Sequence, residues 1–229
     1  MTSSKWHALG NVYLLVEQAE PLTPEAAREL ARDTDGVLEL DGNHVTVWNP
    51  DGSVAEMSGN GARIAAAWLA RKTGSREVAL RVGKHDLNAT VDGENVTLEV
   101  GDVEVCEPET IDGIDFTPVS VGNPHAVVRH DPADIRRLGP LLENHGRFPD
   151  RTNVQLVRVD GTHELTVAVW ERGAGETTAS GSSAIAAAAA AIRNGWCASP
   201  VTVHMPGGDL YVEIADGRAR LTGPAVELA

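Results

Sequence analysis

Two stretches of the chain are apolar on nearly every helical face. GARIAAAWLA (61–70) and SAIAAAAAAI (183–192) lack the broad polar stripe that a surface helix turns to water. Each therefore reads as a helix buried all round, with small alanine side chains that let strands approach closely from several sides. Alternating, strand-like runs follow both: REVALRV (76–82), LNATV (87–91) and NVTLEV (95–100) after the first, and PVTVHM (200–205), DLYVEI (209–214) and RARLTG (218–223) after the second. Upstream of the first helix, VLEL (37–40) and HVTVW (44–48) flank Asp41-Gly42, a hairpin signal. Two peripheral helices complete the pattern. Thr23-Pro24 supplies an N-cap and a proline at the first helical position for EAARELARD (25–33). DPADIRRLGPLLENHG (131–146) predicts a second, interrupted near Gly139-Pro140.

The surroundings of the two buried helices are copies of one another. Residues 46–74 align without a gap on residues 168–196 when 122 is added, placing Trp48 on Trp170, Ser58 on Ser180, Gly59 on Gly181 and Ala62 on Ala184. The flanks agree: ALGNVYLLV (8–16) resembles SVGNPHAVV (120–128), and HDLNATVDG (85–93) resembles GDLYVEIADG (208–217). A repeat this long is no solenoid unit, so it reads as a duplicated domain with two facing halves. The expected fold is α/β of the α+β kind: two pseudo-symmetric halves, each a curved, mostly antiparallel sheet wrapped around a central helix. The boundary is expected near residue 115, giving halves 1–115 and 116–229, with the last strand, about 219–229, packing back on the first half.

Composition narrows the partners. The formal charge of −14, from 33 acidic against 19 basic residues, would repel phosphates and so argues against nucleic acid and anionic membrane. The start of the chain has no apolar signal core, and the longest apolar run, AIAAAAAAI (184–192), is too short to span a bilayer, so a cytoplasmic location is expected. Cys106 and Cys197 have no CxxC spacing and read as free thiols; the eight histidines have no paired spacing, so no metal site is expected.

Ser-Gly opens both buried helices. A helix N-terminus presents unpaired N–H groups and the positive end of the helix dipole. If the two halves face each other, both ends point into one cleft, where a carboxylate or phosphate would be held from both sides. The plainer alternative is that Ser58 and Ser180 are only N-caps, worth about 1 kcal/mol each; repetition of the whole turn favours the first reading. Asparagines recur around the motifs: Asn11 and Asn123 in paired Gly-Asn turns, Asn49 and Asn60 around the first helix start, and Asn153 in RTNVQ. Asparagine tolerates turn geometry, but five at motif positions point to polar recognition of an amino-acid-like ligand. Glu171 and Arg172 can pair with an ammonium and a carboxylate, or form a solvated ion pair with each other.

NPDGS…MSGNGAR, GNPHAVV, FPDRTNVQLV and ERGAGETTASGSS resemble, in order and along nearly the whole chain, the signatures of the diaminopimelate epimerase family. The resemblance implies a fold of two pseudo-symmetric halves and a cofactor-independent epimerase. It would interconvert the LL and meso forms of diaminopimelate, for lysine and cell-wall synthesis. It also implies a small-molecule amino-acid substrate and admits a homodimer. In the family a cysteine precedes the glycine of each helix-opening motif, one acting as base and the other as acid. Carried over, the two proton-transfer positions are Ser58 and Ser180. Gly59, Asn60, Gly181 and Ser182 would hold the carboxylate at the reacting carbon, while Asn11, Asn49, Asn123, Asn153, Glu171 and Arg172 would bind the rest of the substrate. His125 and Glu171 would assist the two acid/base groups. Ser182 stands where the family usually has threonine, Ile64 also departs from its pattern, and the connection from Asn11 to Asn49 is shorter than is typical.

The serines change the chemistry. A thiol titrates near 8.5 and is lowered further at a helix N-terminus. A hydroxyl is far less acidic, and each pKa unit costs about 1.36 kcal/mol. Serine can still relay a proton if His125 or Glu171 supplies the base. Three readings stay open: an epimerase that is weak, or silenced by substitution at its acid/base pair; a non-catalytic amino-acid-binding relative; and an isomerase or dehydratase of the same architecture, similar to the phenazine-biosynthesis isomerases or hydroxyproline dehydratases.

Overall fold

The computed structural model describes residues 2–18 and 20–228. The chain falls into two compact units, Met1–Glu99 with Thr222–Ala229, and Val100–Leu221. The position near residue 115 read from sequence as a boundary lies in the strand Ile114–Ser120 of the second unit.

In the first unit, strand Thr2–Ala8 turns back into Asn11–Glu17, and helix α1 (Pro24–Leu30) carries the chain to Gly36–Asp41. Thr23 caps α1, its Oγ1 accepting from the Ala26 N–H at 3.3 Å. Gly36–Asp41 pairs in a hairpin with His44–Trp48, as the Asp-Gly signal predicts. Helix α2 (Gly59–Thr73) follows, then the strands Glu77–Val82, His85–Asp92 and Asn95–Asp102. The second unit repeats this order. Strands Ile114–Ser120 and Pro124–Arg129 lead through helix α3 (Ile135–Glu143) to Asn153–Gly161 and Glu164–Glu171. Helix α4 (Gly181–Arg193) then precedes Val201–Met205, Gly208–Ala215 and Arg218–Pro224. The central helices are buried as their composition predicts: Asn60 to Ala67 of α2 and Ser183 to Ala191 of α4 are all buried.

The sheets are mostly antiparallel, as expected, and each unit adds two parallel pairs. Asn11–Glu17 runs parallel to Gly36–Asp41, and His44–Trp48 to Glu77–Val82. The second unit has the same two parallel pairs, Pro124–Arg129 with Asn153–Gly161 and Glu164–Glu171 with Val201–Met205. The physical reason is connectivity: each of these pairs is joined through a helix, and a crossover of that kind returns the chain in the same direction.

The second peripheral helix also differs from expectation. It runs without interruption from Ile135 to Glu143, with Pro140 inside it, after a single 3₁₀ turn at Pro132–Asp134. Ile135, Leu138 and Leu142 lock its inner face into a cluster with Phe116, Val128 and Leu156. That burial outweighs the one backbone hydrogen bond proline removes. Gly139 lets α3 ride directly on Trp170; a Cβ there would lie 2.6 Å from Trp170 Cγ. Gly139→Ala is accordingly expected to lower the unfolding free energy by about 1–3 kcal/mol through overpacking, read as a lower urea midpoint at constant slope.

Candidate active site

Ser58 stands in extended backbone (φ −143°, ψ 115°) before α2, and its Oγ accepts the Gly61 N–H at 3.0 Å. Glycine is needed at that N–H: a Cβ on Gly61 would meet Leu38 Cδ2 at 2.8 Å and Ser58 Oγ at 3.2 Å. Gly59 and Asn60, the first two residues of α2, leave their backbone N–H groups outside the helical hydrogen-bond ladder. The Asn60 side chain turns inward, where its Oδ1 accepts from Arg63 Nη2 at 2.6 Å. Tyr13 brings its hydroxyl to 3.2 Å from Ser58 Oγ. Asn11 opens the same strand, half-buried, two residues earlier. Asn49 belongs to a separate turn in which its amide donates to Ser53 Oγ at 2.9 Å.

The second unit gathers more of the expected residues. His125 is buried, with Nε2 donating to Asn123 Oδ1 at 2.9 Å and Nδ1 accepting from Gln155 Nε2 at 3.0 Å. Gln155 Nε2 also donates to Ser183 Oγ at 3.0 Å. Asn153 is a bracket: its Nδ2 holds the Pro124 carbonyl at 2.9 Å and its Oδ1 accepts the Arg172 N–H at 3.0 Å. Glu171 ends its strand and accepts a hydrogen bond from Ser180, whose hydroxyl makes no cap bond to α4. Gly181 and Ser182 begin α4 and leave their N–H groups outside its ladder.

Burial and charge assign the protonation states. Glu171 is half-buried, and loss of hydration pushes its carboxyl above the usual carboxylate range, partly offset by the Ser180 hydrogen bond. The expectation that His125 supplies a base at accessible pH is corrected here. Burial, and to a lesser extent the positive charge of Arg172, pull its pKa down to about 3. Both ring nitrogens are also engaged. His125 is therefore a neutral, fixed donor that orients Asn123, not a proton acceptor near neutrality. The Glu171–Arg172 ion pair is not formed either: Arg172 is exposed, and its Nη1 reaches the Asp150 carbonyl at 3.4 Å.

Four residues that the sequence reading passed over bear on the site. Tyr13 and Gln155 each lie two positions along a strand from an expected asparagine, Asn11 and Asn153, so period-two alternation puts each on its asparagine's face. Polar residues at alternate positions of apolar strands were the available signal. Arg63 was visible only as a charge within an apolar helix. Glu143 carried no signal: it reaches across from α3 to accept from Gly173 N at 2.7 Å and Trp170 Nε1 at 2.7 Å, fixing the turn behind Glu171 and Arg172.

A duplicated mixed sheet around a buried central helix is a fold shared with solved epimerase and isomerase structures. A structure described as a predicted epimerase from Pseudomonas aeruginosa superposes with a TM-score of 0.78 at 19% identity, covering 99% of this chain and 96% of the other. A phenazine biosynthesis protein of the PhzF family from Enterococcus faecalis gives 0.74 at 14%, covering 100% and 98%. A hydroxyproline epimerase from Agrobacterium vitis gives 0.67 at 15%, covering 99% and 90%. At these identities the likeness speaks for the fold alone. Residues 117–228 match the family model described as diaminopimelate epimerase. Proteins named diaminopimelate epimerase from Pseudomonas syringae pv. syringae and Desulfitobacterium hafniense are 35% and 36% identical, over 98% and 96% of this chain and 96% and 94% of their own lengths. The chain belongs to the diaminopimelate epimerase family and is an isomerase.

Proposed function

We infer that the chain exchanges the α-proton of diaminopimelate, interconverting its LL and meso forms without a cofactor, as a cytoplasmic enzyme. One observation carries the reading: the Ser180 hydroxyl, free of capping duty, is hydrogen-bonded to a carboxylate that burial has made more basic. In the abstraction step the substrate Cα–H bond breaks as Ser180 Oγ takes the proton, and Ser180 passes its own proton to Glu171. This supplies the base that a serine alone lacks. The free N–H groups of Gly181 and Ser182 take the carboxylate at the reacting carbon and stabilise the charge that develops there. Those of Gly59 and Asn60 are the same device in the first unit. Arg172, with its exposed guanidinium, is suited to the carboxylate at the far end of the substrate.

The deciding experiment is incubation with LL-diaminopimelate in deuterated water, following loss of the α-hydrogen signal and the appearance of the meso form. Exchange with inversion is expected. Binding by calorimetry without any exchange would instead identify an amino-acid-binding relative.

A further inference from the structure

Each unit seats a buried carboxylate on its repeated tryptophan, a feature that the proton chemistry does not use. In the first unit Trp48 Nε1 donates to Glu39 Oε2 at 2.8 Å, and Glu39 Oε1 accepts from Leu22 N at 2.6 Å. In the second, Trp170 Nε1 donates to Glu143 Oε2 at 2.7 Å, and Glu143 Oε1 accepts from Gly173 N at 2.7 Å. The two carboxylates come from different elements, strand Gly36–Asp41 and helix α3, so Glu143 is no copy of Glu39.

A turn follows each tryptophan, closed in the same way. Gly52 N donates to the Asn49 carbonyl at 2.9 Å and, 122 positions on, Ala174 N donates to the Glu171 carbonyl at 3.1 Å. The first turn is braced mainly by its own side chains. Asp51 Oδ1 accepts Ser53 N at 2.8 Å, Asn49 Nδ2 donates to Ser53 Oγ at 2.9 Å, and one bond comes from α1, Arg28 Nε to the Asp51 carbonyl at 2.9 Å. The second turn is held from outside. Both of its central amides end on other elements, Arg172 N on Asn153 Oδ1 and Gly173 N on Glu143 Oε1, where the first turn has Pro50 and no amide at the earlier position. Gly173 is left-handed (φ +78°), and a Cβ on it would lie 3.3 Å from Arg151 Nη2. Arg151 Nη1 donates in turn to Glu143 Oε1 at 3.3 Å. Glu143 thus ties the indole of the residue before Glu171 to the amide of the residue after Arg172, through charge-assisted bonds.

Of the two residues between those anchors, Glu171 has other supports: its backbone pairs with Gly175 in the sheet and its side chain accepts from Ser180. Arg172 lies outside the ladder. Its guanidinium reaches a neutral carbonyl, that of Asp150, and among the described residues no carboxylate pairs with it.

We propose that Glu143 is a positioning residue for substrate recognition, fixing this turn so that Arg172 is held in one orientation for the far carboxylate of diaminopimelate. The proposal rests on the function inferred above, and it uses residues of the second unit alone. Glu143 meets no substrate atom; it acts through Arg172. A backbone already fixed before binding has less freedom to lose when the guanidinium takes its ligand, so the contribution falls on affinity.

The test compares the natural chain, Glu143→Gln, Trp170→Phe and the double variant in epimerisation of LL-diaminopimelate, with circular dichroism as the check on folding. Glutamine keeps the size of the side chain but has one acceptor oxygen, so its NH₂ is set against the N–H of either Trp170 or Gly173. Glu143→Gln is expected to raise KM about tenfold, the scale of one charge-assisted hydrogen bond, with kcat within about threefold. In the Trp170→Phe background the indole N–H is gone and the amide oxygen is free to turn to Gly173. There the same substitution should raise KM by about threefold or less. A KM for folded Glu143→Gln within about twofold of the natural chain overturns the proposal while the function stands. So does a loss carried by kcat at unchanged KM, or an equal rise in KM in both backgrounds. If Trp170→Phe fails to fold, the division between KM and kcat in Glu143→Gln decides alone. A natural chain that binds diaminopimelate without exchanging its α-hydrogen overturns only the epimerase reading, and Kd from calorimetry then takes the place of KM in the same comparison; one that does not bind it overturns both.

Discussion

Glu171→Gln is expected to lower α-proton exchange by about 10²–10⁴-fold, the range lost with a positioned general base and equivalent to about 3–5 kcal/mol of transition-state stabilisation. The amide keeps the size of the side chain but cannot take the proton from Ser180. The same substitution should raise thermal stability at neutral pH. Burial raises the Glu171 pKa in the folded state, so the fold favours the protonated form. The stability this supplies is fully present below the unfolded pKa and is lost as pH rises through the folded one. At neutral pH the ionised carboxylate is a burden that glutamine removes. Exchange by the natural chain should therefore switch on with an acid limb above the ordinary carboxylate range. Kinetics across pH together with melting curves of both proteins check the prediction. A Glu171→Gln variant that keeps full activity would remove Glu171 from the chemistry.

His125 should make the fold acid-labile well above the range where carboxylates alone would act. Its pKa of about 3 in the folded protein lies far below the ordinary value of 6.5. Protons then bind the unfolded chain first, and stability present above pH 6.5 is progressively lost as pH falls toward about 3. At 1.36 kcal/mol per unit the loss totals about 5 kcal/mol, a large share of what holds a small domain together. His125→Gln cannot charge and should flatten the slope between pH 6.5 and about 4, measured as urea unfolding free energy at several pH values. An unchanged slope in that variant would assign the acid sensitivity to other groups.

The central helices were legible because burial on all sides leaves a local mark: an apolar residue at nearly every position of 61–70 and 183–192. The duplication was legible in the same way, as residue identities at fixed spacing. The continuity of α3 across Pro140 was not. The proline signal is local, whereas the grip of Leu138, Gly139 and Leu142 on Trp170 and the residues around it is distant in sequence. The parallel strand pairs were missed for a similar reason, since alternation marks a strand without stating its direction. The motifs pointed to Ser58, Ser180, His125 and Glu171 as candidates but not to the pKa shifts of His125 and Glu171, because those depend on hydration lost to segments far along the chain.

The near-identity of the two helix openings marks the division. Sequence alone determined that a Ser-Gly turn opens an alanine-rich buried helix twice, and which asparagines and charges accompany each copy. Tertiary structure decided that the copies are chemically unequal. Ser58 caps its helix and meets a phenol 45 residues away, while Ser180 leaves its helix uncapped and meets a carboxylate. Helix and strand patterns are set by neighbours within a turn or two, so they can be read along the chain. The proton partner of a hydroxyl is set by sheet register, which brings Tyr13, Gln155 and Glu171 to their places only when the strands have paired.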